Sequence, residues 1–292
     1  MTSKAFCPGH VTALFYAPEP GSSPEATGSR GAGFCVSSGV RATVEARPSD
    51  TTDMAPMEGS RLPPVMVAAL GEYLERTSEP VDLRVGLDLE LPVGQGFGLS
   101  GAMTFAALVA AEAELCLVDG DIGPLLAHAH VAEVTFRSGL GDVVAQAKGG
   151  IDLRKRPGLP PAGEVVHGRQ EADLLLAWGP SPLHTRSVLT DEGARERLEA
   201  ACLPRLEALE GEPDLDWLLE AGRGFAEEAG LSSKDVGAMV DICSAHGRVS
   251  QVMLGNSIFA VGDLEAMGRG LDDAGYEWTI VNIDNQGVRR LD

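Results

Sequence analysis

Leu83, Val85, Leu87, Leu89 and Leu91 alternate with Arg84, Gly86, Asp88 and Glu90, the two-residue period of a strand with one buried and one wet face. Two apolar segments, Val11–Tyr16 and Phe34–Glu45, open the chain, and the second alternates as a strand over Val40–Glu45. Between them Pro18–Gly33, rich in Gly, Ser and Pro, predicts a loop. Polar Pro48–Pro64 leads into a helix-like run at Val65–Arg76. Further helices are predicted at Ala102–Leu115 and Gly123–Phe136, with a short one from Asp142. Leu153–Gly168, carrying Pro157, Pro160 and Pro161, reads as a domain boundary. Beyond it a strand at Ala172–Trp178 precedes helical stretches near 191–209, 213–229 and 232–246. A strand at Val249–Leu254, a turn at 255–257, a helix at Leu264–Ala274 and a strand at Trp278–Ile283 close the chain. The pattern predicts two α+β halves, residues 1–165 and 166–292.

The length of 292 residues fits one large domain or two, and 44% hydrophobic content supports a core without disulfide or metal staples. Asp and Glu number 43 against 23 Lys and Arg, a formal charge of −20. That balance argues against nonspecific binding to nucleic acid or to an anionic membrane, both of which need a positive surface. Lysine occurs only at Lys4, Lys148, Lys155 and Lys234. A Lys-poor, acid-rich surface is what a high-salt cytoplasm favours, where screening acts within about 3 Å at 1 M; a GC-rich genome would also exchange Lys for Arg. The five cysteines are scattered without a CxxC, as reduced intracellular thiols are. The longest apolar stretch, Gly101–Ala111, is cut by Glu112 and Glu114 and is too short for a bilayer. No basic start followed by an apolar core marks a signal peptide. A cytoplasmic protein is expected, with monomer and homodimer both open.

The most informative segment is a strand, then PVGQGFGLSGA, then a helix. Gly94, Gly96, Gly98 and Gly101 fall within eight residues at a helix start. Backbone N–H groups uncovered by side chains, together with the positive end of the helix dipole, suit a phosphate. Ser100 sits at the expected N-cap, where its hydroxyl either caps the helix or reaches a phosphate oxygen or its metal. The literal G-x-G-x-x-G over Gly96–Gly101, with Asp119 downstream, matches a dinucleotide fingerprint. However, the preceding strand alternates apolar and charged, whereas a first Rossmann strand is buried on both faces. No Lys-Ser/Thr pair follows the glycines, so the Walker form fails as well.

A second cluster lies in His128–Gln146. His130 and Glu133 share a helix face, and Asp142 follows on a glycine turn. The bland alternative is a Glu133–Arg137 surface pair, Asp142 as an N-cap and His130 as a core histidine. Read together with the glycine loop, the carboxylates form a phosphotransfer set: a metal-holding carboxylate, a base for the attacking hydroxyl and a phosphate cradle. Arg154 offers a planar guanidinium for a carboxylate, or else a solvent-facing member of Arg154-Lys155-Arg156.

Lys4–Thr12 (KAFCPGHVT), PVGQGFGLSGA, the Glu133–Asp142 segment and VMLGNSIFA at Val252–Ala260 occur in the order that resembles the GHMP small-molecule kinases across almost the whole chain. PGHVT, GSRGAG at Gly28–Gly33, HVAEV at His130–Val134 and GLGDVVAQ at Gly139–Gln146 are most similar to the archaeal pantoate kinases. The resemblance implies a two-domain α+β fold, with a left-handed βαβ unit in the N-terminal half and a ferredoxin-like C-terminal half. It implies ATP and Mg²⁺, with Pro92, Gly94, Gly96, Gly98, Leu99, Ser100 and Gly101 around the triphosphate. Ser100 and Glu133 would hold the metal, and Asp142 would orient or deprotonate the acceptor hydroxyl. Ser29, His130 and Arg154 would bind the acid substrate, pantoate. His10 stands where many members have Lys, GFGLSGA replaces the commoner GLGSSAA, and the late motif keeps Gly255 but few other glycines. A kinase for another hydroxy acid, of mevalonate or homoserine type, and a silent nucleotide-binding relative are the alternatives.

Overall fold

The computed structural model describes residues 2–59, 61–182, 192–209 and 211–292. Two sheets organise it. In the first, β1 (Thr2–Tyr16) pairs antiparallel with β2 (Arg30–Pro48), and β2 with β4 (Val81–Leu89). The short β3 (Asp53–Pro56) lies parallel to β4, with α1 (Pro64–Leu74) between them in a βαβ unit. β5 (Ile151–Arg156) pairs with the start of β2 and continues into a hairpin with β6 (Glu164–Gly168), while β11 (Arg289–Leu291) returns to β1.

The second sheet comprises β7 (Asp173–Trp178), β8 (Gly247–Val252), β9 (Ser257–Gly262) and β10 (Glu277–Asn282), antiparallel in the order β10-β7-β9-β8. Between β7 and β8 run α5 (Glu192–Ala208), α6 (Leu215–Ala229) and α7 (Lys234–Ser244), and α8 (Leu264–Ala274) joins β9 to β10. Numbered within the sheet, the order is 4-1-3-2, that of a ferredoxin-like βαββαβ unit.

α2 (Leu99–Leu115) is the axle of the first half. Gly101 through Glu112 are all buried, as a helix apolar on every side must be. It packs on β1 and β2 with α1 and α3 (Ile122–Phe136) beside it. The core runs on into the second half, where Phe34 meets Phe259 (ring centroids 5.2 Å apart) and Phe15 meets Phe225 (6.4 Å).

The structure extends several expectations. The stretch over Leu153–Gly168 is part of the β5–β6 hairpin, its prolines lying at and around the connection, and residue 165 falls within β6. β1 and β2 extend well beyond their apolar segments because Gly and Pro are absorbed at register shifts beside Pro8 and Gly9. β3 and β11 are too short to show a period. β9 is a continuous apolar run after the 255–257 turn, for which alternation gives no signal.

Candidate active site

The phosphate-type loop follows β4. Gly94 (φ 82°), Gly96 (φ 82°) and Gly98 (φ 63°) all hold left-handed backbone, which glycine adopts without a Cβ penalty. Gly98 is the N-cap of α2, so Ser100 is the second helical residue and not the cap expected from sequence. Its hydroxyl is thereby released from capping, and Ser100 lines a cleft with Gly94, Gly96 and Gly98.

The late motif holds the loop from behind. The Ser257 hydroxyl donates to the Gln95 carbonyl at 2.5 Å, and Gln95 Nε2 donates to the Gly179 carbonyl at 2.9 Å. A Cβ on Gly255 would stand 2.0 Å from the Gln95 carbonyl oxygen, so only glycine permits this approach. From the other side Gln146 Nε2 donates to the carbonyls of Pro8 and Gly98, each at 3.0 Å.

Glu133 is buried in α3; among the described residues neither carboxylate oxygen meets a partner in good hydrogen-bond geometry, the Ser138 side chain being the polar group that partly eases its charge. Cβ atoms on Gly139 and Gly101 would lie 2.6 Å and 3.1 Å from its oxygens, so both glycines clear space around the charge. Burial, then the charge of Asp142, pushes the Glu133 carboxyl well above the usual carboxylate range. Arg137 does not pair with it; it ends α3 in left-handed backbone (φ 54°) at the cleft rim. A buried, unpartnered carboxylate next to a phosphate loop is suited to a cation. Among the described residues no group of three or more His, Cys, Asp or Glu could hold a metal. A divalent ion here would therefore take most of its ligands from phosphate oxygens and water, the habit of Mg²⁺.

Asp142 opens α4 (Asp142–Gln146) and faces the cleft with 28% of its side chain exposed. Its Oδ1 lies 2.8 Å from Nδ1 of His10, and the Nε2 of His10 lies 2.7 Å from Oδ1 of Asp152. His10 is fully buried. Desolvation alone would lower its pKa, but the two aspartates outweigh it and raise it to about 9, leaving the ring charged at neutral pH. Burial opposes ionisation of Asp142 as well, yet its bond to His10 and the charges of His10 and Arg154 bring its pKa below the ordinary value.

Asp152 is buried on β5 and uses its second oxygen for Arg154, 2.5 Å from Nη1. Burial raises its pKa, and Arg154 followed by His10 overcomes that to bring it to about 2. Arg154 lines the cleft, and its buried Nε has no hydrogen-bond partner among the described residues. Ser29 lines the same wall, its N–H donating to the Leu140 carbonyl at 2.7 Å. His130 does not line that wall: buried in α3, with Nε2 2.9 Å from the Thr27 carbonyl, it ties α3 to the segment that carries Ser29.

The structure thus gathers Gly94, Gly96, Gly98, Leu99, Ser100, Asp142, Ser29 and Arg154 around one cavity of about 240 Å³. Glu133 and Gly101 lie behind its wall, and Pro92 leads into the loop. His10, Asp152 and Gln146 were not singled out for a role from sequence. The spacing of Asp152 and Arg154, two apart on a strand and so on one face, was the available signal for Asp152.

Residues 65–150 match the family model described as GHMP kinases N terminal domain. A pantoate kinase of Methanospirillum hungatei is 31% identical over 268 residues, 88% of this chain and 86% of that protein. A pantoate kinase of Thermococcus kodakarensis is 32% identical over 274 residues, covering 89% and 88%. Among solved structures, one titled as a phosphotransferase related to the CoA biosynthesis pathway superposes with a TM-score of 0.85 at 24% identity, covering 100% of this chain and 99% of that one. The mevalonate-3-kinase of Thermoplasma acidophilum superposes at 0.69 and 11% identity, covering 100% and 98%. Both likenesses speak for the fold.

Proposed function

The chain belongs to the GHMP kinases, and from that premise we propose that it is a pantoate kinase, transferring the γ-phosphoryl group of ATP to the 4-hydroxyl of (R)-pantoate on the way to coenzyme A. The observation that carries the reading is the pairing, along one cleft beside the glycine loop, of an ionised Asp142 with the guanidinium of Arg154. A hydroxy acid needs both: an acceptor for its hydroxyl proton and a cation for its carboxylate.

In this reading residues 1–165 supply the cradle and most of the acceptor site, and residues 166–292 brace the loop through Gly255 and Ser257. The amides of Gly94 to Gly98 and the N-terminus of α2 hold the triphosphate, between Pro92 at the loop entry and Gly101 at its exit. Glu133 and Ser100 are the residues that would hold Mg²⁺, which when bound neutralises phosphate charge. Arg154 and Ser29 bind the carboxylate end of pantoate, and His130 acts through Thr27 by fixing the segment that bears Ser29. Asp142 accepts a hydrogen bond from the 4-hydroxyl and aims its oxygen at the γ-phosphorus. As the new O–P bond forms, the bond to the β-phosphate bridge breaks and the hydroxyl proton passes to Asp142. The charged His10 keeps Asp142 anionic, so the proton moves late, as a loose phosphoryl transition state requires. Positioning and electrostatics supply most of the rate. The acidic composition fits a salt-rich cytoplasm, with the enzyme as monomer or homodimer.

The test is ADP release from purified protein with MgATP in high KCl, with and without (R)-pantoate, and ³¹P NMR of the product. A pantoate-dependent phosphomonoester on the 4-hydroxyl is expected. Turnover only with a different hydroxy acid would overturn the substrate, and nucleotide binding without transfer to any acceptor would overturn the kinase reading.

A further inference from the structure

Asp142, His10, Asp152 and Arg154 form a single chain of alternating charge. Its two ends, Asp142 and Arg154, line the cleft, whereas its two middle members are wholly buried. Each carboxylate oxygen of Asp152 has a different task, Oδ1 facing His10 Nε2 at 2.7 Å and Oδ2 facing Arg154 Nη1 at 2.5 Å. We propose that Asp152 is the positioning residue of the cleft, one buried carboxylate that fixes the hydroxyl-orienting and the carboxylate-binding ends of the acceptor site relative to each other. This rests on the pantoate kinase reading for the identity of the acceptor, but the linkage itself follows from the geometry.

The surroundings are cut to fit the chain. Gly33, the β2 partner of Asp152, lacks a Cβ that would stand 2.8 Å from His10 Nε2. Gly141 lacks one that would stand 2.9 Å from Arg154 Cδ. Residues 33 and 141 therefore leave room for the imidazole and for the stem of the guanidinium. Asp152 and Arg154 share one face of β5, so the strand sets their separation. A rigid β-strand is a more exact mount than a loop for two groups that must meet one small molecule.

A carboxylate buried between two cations contributes little net stability compared with apolar packing, and much when only one partner is removed. Stability alone is thus a weak account of such a group. A shared counter-ion does something packing cannot: the oxygen that restrains His10 and the oxygen that restrains Arg154 belong to one rigid plane. Moving either cation tilts the carboxylate and disturbs the other. The acceptor is then held at both ends by one device, whose side-chain charges face the acceptor while the main chain of His10 meets the nucleotide loop, its N–H donating to the Phe97 carbonyl at 2.9 Å.

The experiment is steady-state kinetics of Asp152→Asn, with Asp152→Glu as a second variant and thermal melting to verify folding. Asn keeps the shape but offers a single acceptor oxygen, so one cation is lost. The expected result is a fall in kcat of about 10²-fold together with a rise in the KM for pantoate of about tenfold, and a KM for ATP within about twofold of wild type. Double-mutant cycles complete the test. His10→Gln and Arg154→Lys should be non-additive in the wild-type background and additive in the Asp152→Asn background. A folded Asp152→Asn protein with unchanged kcat and pantoate KM would overturn the proposal. So would equal effects on both substrates, or additivity of the two variants in wild type. Should Asp152→Asn fail to fold, the Glu variant and the wild-type cycle decide alone. If wild type prefers another acceptor, the substrate reading fails while the same split, measured with that acceptor, still decides the role of Asp152.

Discussion

The imidazole of His10 stands 2.8 Å from the carboxylate of Asp142 and has no exposed surface of its own. A charge that never meets solvent thus sets the state of a carboxylate that does. Replacing Asp142 by Asn removes the proton acceptor and leaves the loop, Ser100 and Glu133 in place. Asp142→Asn should lower kcat by about 10²–10⁴-fold, while the Kd for nucleotide by calorimetry stays near wild type. Near-normal turnover would remove Asp142 from the mechanism.

His10 also gives a pH signature. Its folded pKa of about 9 lies above the ordinary 6.5, so its contribution to stability is complete below pH 6.5 and lost as pH rises toward 9. Activity should fall over the upper part of that window as Asp142 loses its cationic partner. Melting temperature and kcat recorded from pH 6 to 10 should decline together in wild type. In His10→Gln both should start lower and lack this limb. A wild-type profile flat through pH 9 would mean that the ring is neutral throughout.

Legibility followed periodicity and local chemistry. β4, α2 and α3 announced themselves through clean alternation or long apolar runs, and the glycine loop, Ser100, Glu133 and Asp142 through type and spacing. The buried pairings were hidden for a physical reason: His10 and Asp152 are 142 residues apart and meet only because β1 and β5 both pair with β2. The alternative of a surface ion pair between Glu133 and Arg137, left open by spacing alone, does not form. The left-handed end of α3 turns Arg137 away and leaves the carboxylate inside. Ser100 was misplaced by two residues because Gly98, with left-handed backbone, ends the loop where a hydroxyl cap was expected.

Glu133 predicts a separation of stability from activity. A buried carboxylate whose pKa is raised destabilises the fold progressively as pH rises above its unfolded value of about 4.5. Glu133→Gln removes that penalty. The ligand-free variant should melt no lower than wild type at pH 8, while kcat falls by at least about 10²-fold through loss of charge stabilisation at the phosphates. A large drop in melting temperature would instead make Glu133 a structural group.

The excess of 43 acids over 23 bases predicts a response to salt. Repulsion among surface carboxylates is screened as KCl rises, whereas the buried pairs of the cleft are screened much less. Between 0.1 and 2 M KCl the melting temperature should rise on the order of 5 °C, equivalent to ~2 kcal/mol. Highest stability in dilute buffer would contradict this account of the composition.

The contact between the second half and the phosphate loop can be tested at one atom. A methyl at position 255 would meet the Gln95 carbonyl oxygen at 2.0 Å and its carbon at 2.6 Å, and because both are backbone, the loop itself must move. Gly255→Ala should raise the KM for ATP by about tenfold or more, the equivalent of ~1.4 kcal/mol, and destabilise the protein by about 1–3 kcal/mol through overpacking. The KM for pantoate should change far less, because Arg154 lies on β5 and Ser29 immediately precedes β2, both apart from the loop. Gly237→Ala supplies the control: it lies within α7, where an added methyl finds nothing within 4 Å. That change should stabilise the helix by up to about 1 kcal/mol and leave both Michaelis constants unaltered. If Gly255→Ala matches Gly237→Ala in ATP affinity, the second half does not set the shape of the phosphate cradle. If ATP and pantoate constants rise equally, the loop and the acceptor wall move as one body, and the independence of the Asp152-linked acceptor site from the nucleotide loop fails with it.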